Sequence, residues 1–541
     1  MLKRKKWIPI ASAVFAITVL AVAVFFISLL KVDVLIGEIL LIIAAVMALL
    51  LFVAGLLLFK GLHRKRSAMR RIRRIIGLVL CLVVVFCSVF GTILMHNVEK
   101  TKTQISNAKS DEQPRSIVGV YVTDGDGAQK LSDMGAYTFA VLGELGAEKL
   151  NSNYAIGAIN NALGAKVKTV SYPGITDAAS ALRNGDVQAM VVSKTFILLL
   201  EDAENFAEFA ETLRLVDEIP VPYNATLENT PIVIASIAAA PEDPDTTPAP
   251  TPVPTPSPTP APLFGEDQTL VVYLSGLDKW EAGASNIHSD VNILMFINSK
   301  TRQVMLINTP RDFYMVNPAL GGYDKLTHCG IQGVYNSIEA LERFYNLDID
   351  NFARVNFTGF EQFVDSIGGI TLDNPVEFTG DAPGYRPVRF PVGELHLNGE
   401  EALVYSRERE PFGDGDLGRG RNQLRVLTAI LDNIKKNGAS VLMNHAQILE
   451  AMGNCVDTDF TSDQISDLAK LATRYLNEWD IKSYGVIGDT GMAVTASGGT
   501  EPLYIIWPRQ NSVDFAVRLM NMIQNDEIIT DEVLAEAPLP Y

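Results

Sequence analysis

"VNILMFINSKTRQVMLINTPRD" (Val291–Asp312) carries two short apolar runs split by a polar turn. Apolar character this continuous marks strands buried on both faces, since a half-exposed strand would alternate. "TLVVYLSGL" (269–277) before it and "FARVNF" (352–357) after it read the same way. Helical patterns interleave with these runs: "IQGVYNSIEALERFYN" (331–346) and "GRGRNQLRVLTAILDNIKK" (418–436). A buried sheet alternating with helices predicts an α/β domain in α/β/α layers. The pattern continues to the end of the chain, so 264–541 reads as one domain.

Upstream lies "PEDPDTTPAPTPVPTPSPTPAP", within a Pro/Thr-rich linker over 241–263. Such composition forms no packed core and favours extended polyproline, a stiff spacer. Residues 116–240 alternate β-type runs ("SIVGVYV", "VKTVSY", "VQAMVVS", "PIVIAS") with helical patterns, predicting a smaller accessory α/β domain. Within it, "DAASALRNGDVQAMVVS" (177–193) resembles part of a periplasmic solute-binding fold, yet no ligand-binding constellation stands out. A spacer and a sensor both remain open.

The first 99 residues read as a membrane anchor. Spans at about 7–30, 34–59 and 76–95 are each long and apolar enough to cross a bilayer core of about 30 Å. Lys3–Lys6 precede the first span, and "KGLHRKRSAMRRIRR" (60–74) separates the second from the third. Basic loops stay in the cytoplasm, so the N-terminus is expected inside and everything beyond about residue 96 outside.

The first 100 residues hold 14 Lys and Arg against 3 Asp and Glu, so within a total of -17 the remaining 441 carry a net -28. A surface that acidic excludes a general nucleic-acid binder. Cys81 and Cys87 fall in the third span; Cys329 and Cys455 lie on the oxidising side, where one disulfide is expected.

Against this acidic background "YSREREPFGDGDLGRGRNQ" (405–423) gathers Arg407, Arg409, Arg419 and Arg421. Guanidinium forks grip phosphates and carboxylates. Three further charged groups stand at strand ends: Asp278, the Ser289–Asp290 pair, and Arg311–Asp312. Asp278 and Asp290 could hold Mg2+, which takes one or two carboxylates and completes its shell with water and phosphate oxygens. Arg311, Arg407, Arg409 and Arg419 would then surround the same phosphates. The alternative is a set of solvated salt bridges between "RERE" and "GDGD".

The succession "LSGLD", "SDVNILMFIN", "TPRDFYM", "DKLTHCGIQGVYNSIEALERFYN", "LNGEEALVYSRERE" and "GDGDLGRGRNQLRVLTAI" resembles the LytR-CpsA-Psr family over residues 270–435. The resemblance implies a membrane-anchored, Mg2+-dependent phosphotransferase. Such enzymes move a glycopolymer of the teichoic acid or capsule kind from a polyprenyl-pyrophosphate carrier to a peptidoglycan acceptor, forming a phosphodiester. It implies Asp278 and Asp290 as Mg2+-associated catalytic carboxylates and Arg311 as a catalytic head-group arginine. His288, Arg407, Arg409, Arg419 and Gln423 join Arg311 as the pyrophosphate clamp. Where the family usually has "RSD", this chain has "HSD", so His288 replaces a permanent charge with a titratable one. Asp290 is the first candidate for general base and Asp278 the second. Phe352, Val355, Phe357, Phe360, Phe363, Leu403 and Val426 could line a tunnel for the polyprenyl tail or simply form a core. A pyrophosphatase using the same site and a non-catalytic lipid sensor are the competing readings.

Overall fold

The computed structural model describes residues 7–33, 35, 37–59, 68–106, 116–143, 146–201, 203, 205–222, 269–277, 288–382, 384–409, 415–443, 456–475 and 477–538. The linker, Asp278 and Cys455 lie outside these residues, as does the run "PIVIAS".

Helices α1 (Trp7–Val32), α2 (Gly37–Phe59) and α3 (Ala68–Ser106) contain three stretches long and apolar enough to cross a membrane. Gly91 lets α1 and α3 approach closely, since a Cβ there would lie 2.4 Å from the Phe25 ring. The third helix runs well past the expected 76–95, because hydropathy marks only the part that meets lipid and not the polar turns that extend it. In one such turn Lys102 is buried, and its Nζ donates to Val32 O and to Ser466 Oγ, each at 3.0 Å.

The accessory domain comprises β1 (Ser116–Thr123), β2 (Thr138–Val141), α4 (Gly146–Leu163), β3 (Lys168–Ser171), α5 (Ile175–Asn184), β4 (Ala189–Ser193), α6 (Lys194–Glu201), α7 (Ala207–Glu211) and β5 (Leu213–Val221). Its sheet order is β3-β2-β4-β1-β5, with β2 parallel to β3 and β4, and β1 antiparallel to β4 and β5. Strand alternation sends Val118, Val120 and Val122 toward Ile159 of α4, and Tyr121 toward α5 and α6. The closing strand β5, "LRLVDEIPV", had not been expected as a strand; its polar residues mask the pattern.

The larger domain begins with β6 (Thr269–Leu277), β7 (Val291–Asn298), β8 (Gln303–Asn308), the hairpin β9 (Tyr314–Asn317) and β10 (Gly322–Lys325), then α8 (Leu326–Cys329), α9 (Val334–Tyr345), β11 (Asn351–Asn356) and α10 (Phe357–Ser366). Short pairs follow: β12 (Ile370–Asn374) with β15 (Gly393–Leu397), and β13 (Phe378–Gly380) with β14 (Val388–Phe390). Next come α11 (Gly399–Arg407), α12 (Asp416–Met443), β16 (Val456–Thr458), α13 (Ser462–Arg474), β17 (Asp480–Gly485), the hairpin β18 (Gly488–Val494) and β19 (Pro502–Pro508), α14 (Gln510–Gln524) and α15 (Asp531–Leu534).

The central six-stranded sheet runs β16-β11-β6-β7-β8-β17. It is mixed: β11 with β6 and β8 with β17 are parallel, and the other neighbours are antiparallel. One face sends Tyr273, Leu294, Phe296 and Ile307 against Ile338 of α9 and Phe515 of α14; the other sends Ile293, Val304 and Leu306 against Leu424 of α12. This is the α/β/α layering the sequence predicts. Phe352 belongs to the first face, among Tyr273 and Ile338, and is therefore excluded from any tunnel on the other. Cys329 is a free thiol buried in that same layer; the partner expected for it, Cys455, lies outside the described residues.

Candidate active site

The ends of β6 and β8 and the start of β7 share one edge of the sheet, because β7 is antiparallel to both neighbours. His288, Ser289 and Asp290 lead into β7 at this edge, and Arg311 and Asp312 leave β8 beside them. A buried hydroxyl network fixes the approach. Tyr273 OH lies 2.7 Å from Ser289 Oγ and donates to Asn292 Oδ1 at 2.6 Å, while Ser275 Oγ lies 2.7 Å from Ser289 Oγ. A fully bonded network of this kind allows one arrangement of the backbone.

Arg311 Nη1 donates to Asp290 Oδ1, and Arg311 Nε stands 3.7 Å from Asp312 Oδ2. Lys325 Nζ, almost fully buried, lies 3.4 Å from Asp312 Oδ1, a buried oxygen that accepts no hydrogen bond. From the other layer α12 brings Arg419, ion-paired with Asp416 in its own first turn. The helix begins at Asp416, two residues earlier than the sequence pattern suggests, and Arg421 is half-buried. Gly420 permits the close packing of α12 on β8: a Cβ there would stand 2.5 Å from Asn308 Oδ1. Asn308 Nδ2 in turn donates to Gln423 Oε1 at 3.4 Å.

Electrostatics define what this cluster wants. Burial would raise the Asp290 carboxyl, but Arg311, then Arg419 and His288, outweigh it and hold it at about 2. Asp312 is likewise lowered against its burial, by Arg311, Lys325, Arg419 and Arg409. Arg409 is pushed down to about 10 by burial and by the positive charge of Arg419 and Arg311. Guanidinium groups that destabilise one another's charge form a site for an anion.

Asp290 is thus an ionised, ion-paired carboxylate and a poor proton acceptor near neutral pH, which argues against it as general base. Asp278, the other candidate, lies outside the described residues. Among the described residues no group of three or more His, Cys, Asp or Glu could hold a metal ion. Mg2+ needs only one or two carboxylates when phosphate and water complete its shell. The acidified Asp290 and the orphaned Asp312 oxygen are hard donors of the fitting kind.

An apolar cavity of about 280 Å³ lies between the sheet and α10, α11 and α12. Val355, Phe357, Phe360, Phe363, Leu403 and Val426 line it, six of the seven residues expected for a tunnel. Gln423 and Ser406 are its polar wall residues on the α11 and α12 side. Arg407 lies 4.4 Å over the ring of Phe357, itself a lining residue. Gln423 touches both parts: it lines the cavity and bonds Asn308 at the cation cluster.

The structure brings Arg311 and Arg419 within electrostatic reach of both Asp290 and Arg409, with Gln423 lining the cavity nearby; Arg407 stacks on Phe357 and is not among the lining residues. His288 is buried with its ring centroid 5.9 Å from that of His328. Sequence reasoning missed Lys325, Asn308 and Asp416. Their signals were weak, a lone Lys before a short helix and polar residues at element ends; only the fold shows them facing the cluster.

A family model described as the LytR_cpsA_psr family matches residues 245–499. The polyisoprenyl-teichoic acid–peptidoglycan teichoic acid transferase TagU of Bacillus cereus is 33% identical over 208 residues, 38% of this chain and 65% of that protein. The transferase of the same name from Oceanobacillus iheyensis is 32% identical over 213 residues, 38% of this chain and 63% of that protein. The chain therefore spans just under two thirds of the length of these relatives. Among solved structures, B. subtilis TagV is 23% identical with a TM-score of 0.40, covering 49% of this chain and 99% of that one. TagT bound to LI-WTA is 24% identical with a TM-score of 0.38, covering 48% and 93%.

Proposed function

Given that the chain carries a LytR-CpsA-Psr family domain over residues 245–499, we propose that it is a membrane-anchored transferase that moves a glycopolymer from a polyprenyl-pyrophosphate carrier to peptidoglycan. The observation that carries this reading is the adjacency of a cationic cluster and an apolar cavity: Val291, next to Asp290, and Gln423, one helical turn after Arg419, both line the cavity. A ligand satisfying both halves is an anion with a long hydrocarbon tail. The relatives' names supply the teichoic acid class of polymer and the peptidoglycan acceptor; a capsule-like polymer would meet the same site.

In this reading a sugar hydroxyl of the acceptor attacks the phosphorus that bears the glycan. The bond from that phosphorus to the bridging oxygen breaks, and the polyprenyl phosphate leaves with the electron pair and takes up the proton the hydroxyl gives up. Phosphoryl transfer asks mainly for positioning and charge stabilisation. Arg311, Arg409, Arg419 and Lys325 hold the non-reacting oxygens, and Arg407 orients the head beside Phe357. Asp290, with Asp278, would hold Mg2+, which supplies neutralisation of the leaving phosphate. The lowered pKa of Asp290 suits it to that charge-holding role.

The basic sequence at 60–74 supports an orientation with the N-terminus inside and both α/β domains outside. The test is transfer of a radiolabelled polyprenyl-pyrophosphate-linked glycan to isolated peptidoglycan by the full chain in nanodiscs. Incorporation that Asp290→Ala reduces by orders of magnitude supports the reading. Release of soluble phosphate without incorporation would replace it with a pyrophosphatase, and lipid binding without turnover with a sensor.

A further inference from the structure

The accessory domain holds part of the larger domain at the end of its sheet where ligands usually bind. In α/β folds that place is the crevice beyond the carboxyl ends of the parallel strands. Here β3 ends at Ser171 and α5 begins at Ile175, and the gap receives the turn that joins β18 to β19. Thr176 N and Oγ1 both donate to Gly498 O, at 3.0 and 2.6 Å, and Ile175 N donates to Ser497 O at 3.4 Å. The Asp177 carboxylate accepts from Thr500 N at 3.1 Å and from its hydroxyl. Gly174 meets Gly499 backbone to backbone: a Cβ on Gly174 would lie 2.1 Å from Gly499 Cα, and Gly499 has φ +110. Leu503 and Ile331 are buried in the same apolar cluster as Ile175 and Leu182.

The gripped turn is also bonded to the segment that supplies Lys325. Ser497 N donates to Asp324 Oδ2 at 3.2 Å, and Ser497 Oγ lies 3.0 Å from His328 Nδ1. That ring nitrogen is 2.6 Å from Asp324 Oδ1, which also accepts from Lys325 N at 2.9 Å. Asp324, His328 and Ser497 are all fully buried. On the far arm of the hairpin Ile506 N donates to Asp312 O at 2.8 Å, and Thr327 N donates to Arg311 O at 2.8 Å. One hairpin therefore ties the accessory domain to the backbones of both Asp312 and Lys325.

Resting on the function proposed above, we infer that the 116–222 domain is an internal positioning module whose ligand is the Ser497–Thr500 turn, and that this docking sets Lys325 in the anion site. Asp324, His328 and Ser497 are positioning residues: they touch no phosphate and act through Lys325. A buried polar network has few alternative arrangements, so releasing the turn releases Lys325.

The test uses the full chain in nanodiscs, inorganic pyrophosphate as the probe, and Gly174→Val to push the turn away without entering either core. Hydrogen exchange of peptides covering 172–182 and 495–501 reports the docking. We expect slow exchange in the wild type, fast exchange in Gly174→Val, and pyrophosphate binding weakened about tenfold, within the usual range of coupling between sites. In a Lys325→Met background Gly174→Val should cost nothing further, an outcome that general loss of structure would not give. Fast exchange of 495–501 in the wild type overturns the docking. Unchanged affinity in an undocked Gly174→Val protein, or an equal loss without Lys325, overturns the positioning role. A wild type that does not bind pyrophosphate sinks the proposed function itself, and this inference with it.

Discussion

Asp290 and Arg311 face each other across the paired ends of β7 and β8, the guanidinium donating to the carboxylate, and Arg311 is the strongest of the charges that keep Asp290 ionised in spite of burial. Removing Arg311 leaves a largely buried carboxylate without its ion-pair partner, with only Arg419 and His288 to offset its burial. Breaking such a pair costs about 3 kcal/mol, so Arg311→Ala should lower unfolding stability by that order and abolish pyrophosphate binding. Urea unfolding together with calorimetric titration checks both halves.

The same relationship sets a pH dependence. The folded-state value of Asp290, about 2, lies below its ordinary 3.8. Its stabilisation is therefore fully present above about pH 4 and is lost as the pH falls through about 2. It is worth about 2 kcal/mol. Between pH 5 and pH 2.5, Asp290→Asn should lose less stability than the wild type, measured by tryptophan fluorescence in detergent micelles. Parallel losses would show that Asp290 is not held low.

Head and tail can be separated. Leu403 lines the cavity and is distant in kind from the cations. Leu403→Trp should fill the space, weakening polyprenyl phosphate binding about tenfold or more through overpacking while leaving inorganic pyrophosphate affinity unchanged. Equal loss of both ligands would place the lipid elsewhere.

Gly420 offers a subtler probe. The methyl of Gly420→Ala must displace the Asn308 side chain, breaking its bond to Gln423. One such bond contributes about 1 kcal/mol. The expected result is a small stability loss with weaker lipid binding, and a crystal structure of the variant should show Asn308 rotated away.

The proposed orientation of the anchor, N-terminus inside, has a direct test. An alkaline phosphatase fusion after residue 110 should be active and one within 60–74 inactive; the reverse pattern would turn the site toward the cytoplasm.

Much of this was legible in the sequence because the informative residues are contiguous. Continuous apolar runs identify the buried strands, and the arginines of 405–423 are conspicuous in an acidic chain. Strand parity even separates Phe352 from Val355, which alternate to opposite faces of β11 and so cannot line one tunnel. Lys325 and Asn308 were not legible, because their roles depend on which elements pack across the sheet. The gripping of the 495–500 turn by α5 joins residues more than 300 positions apart, and no local pattern announces it.

Lys102 lies within α3 just past its apolar span, bonded at once to the first helix and to Ser466 of the larger domain, while Lys470 reaches Asp33 at 2.7 Å. These bonds fix the standing height of the larger domain relative to the apolar helices. A domain on a free tether would sweep outward through the wall, but one clamped at its base works at a single depth. On the proposed function, donor and acceptor would both have to reach that one depth beside the bilayer.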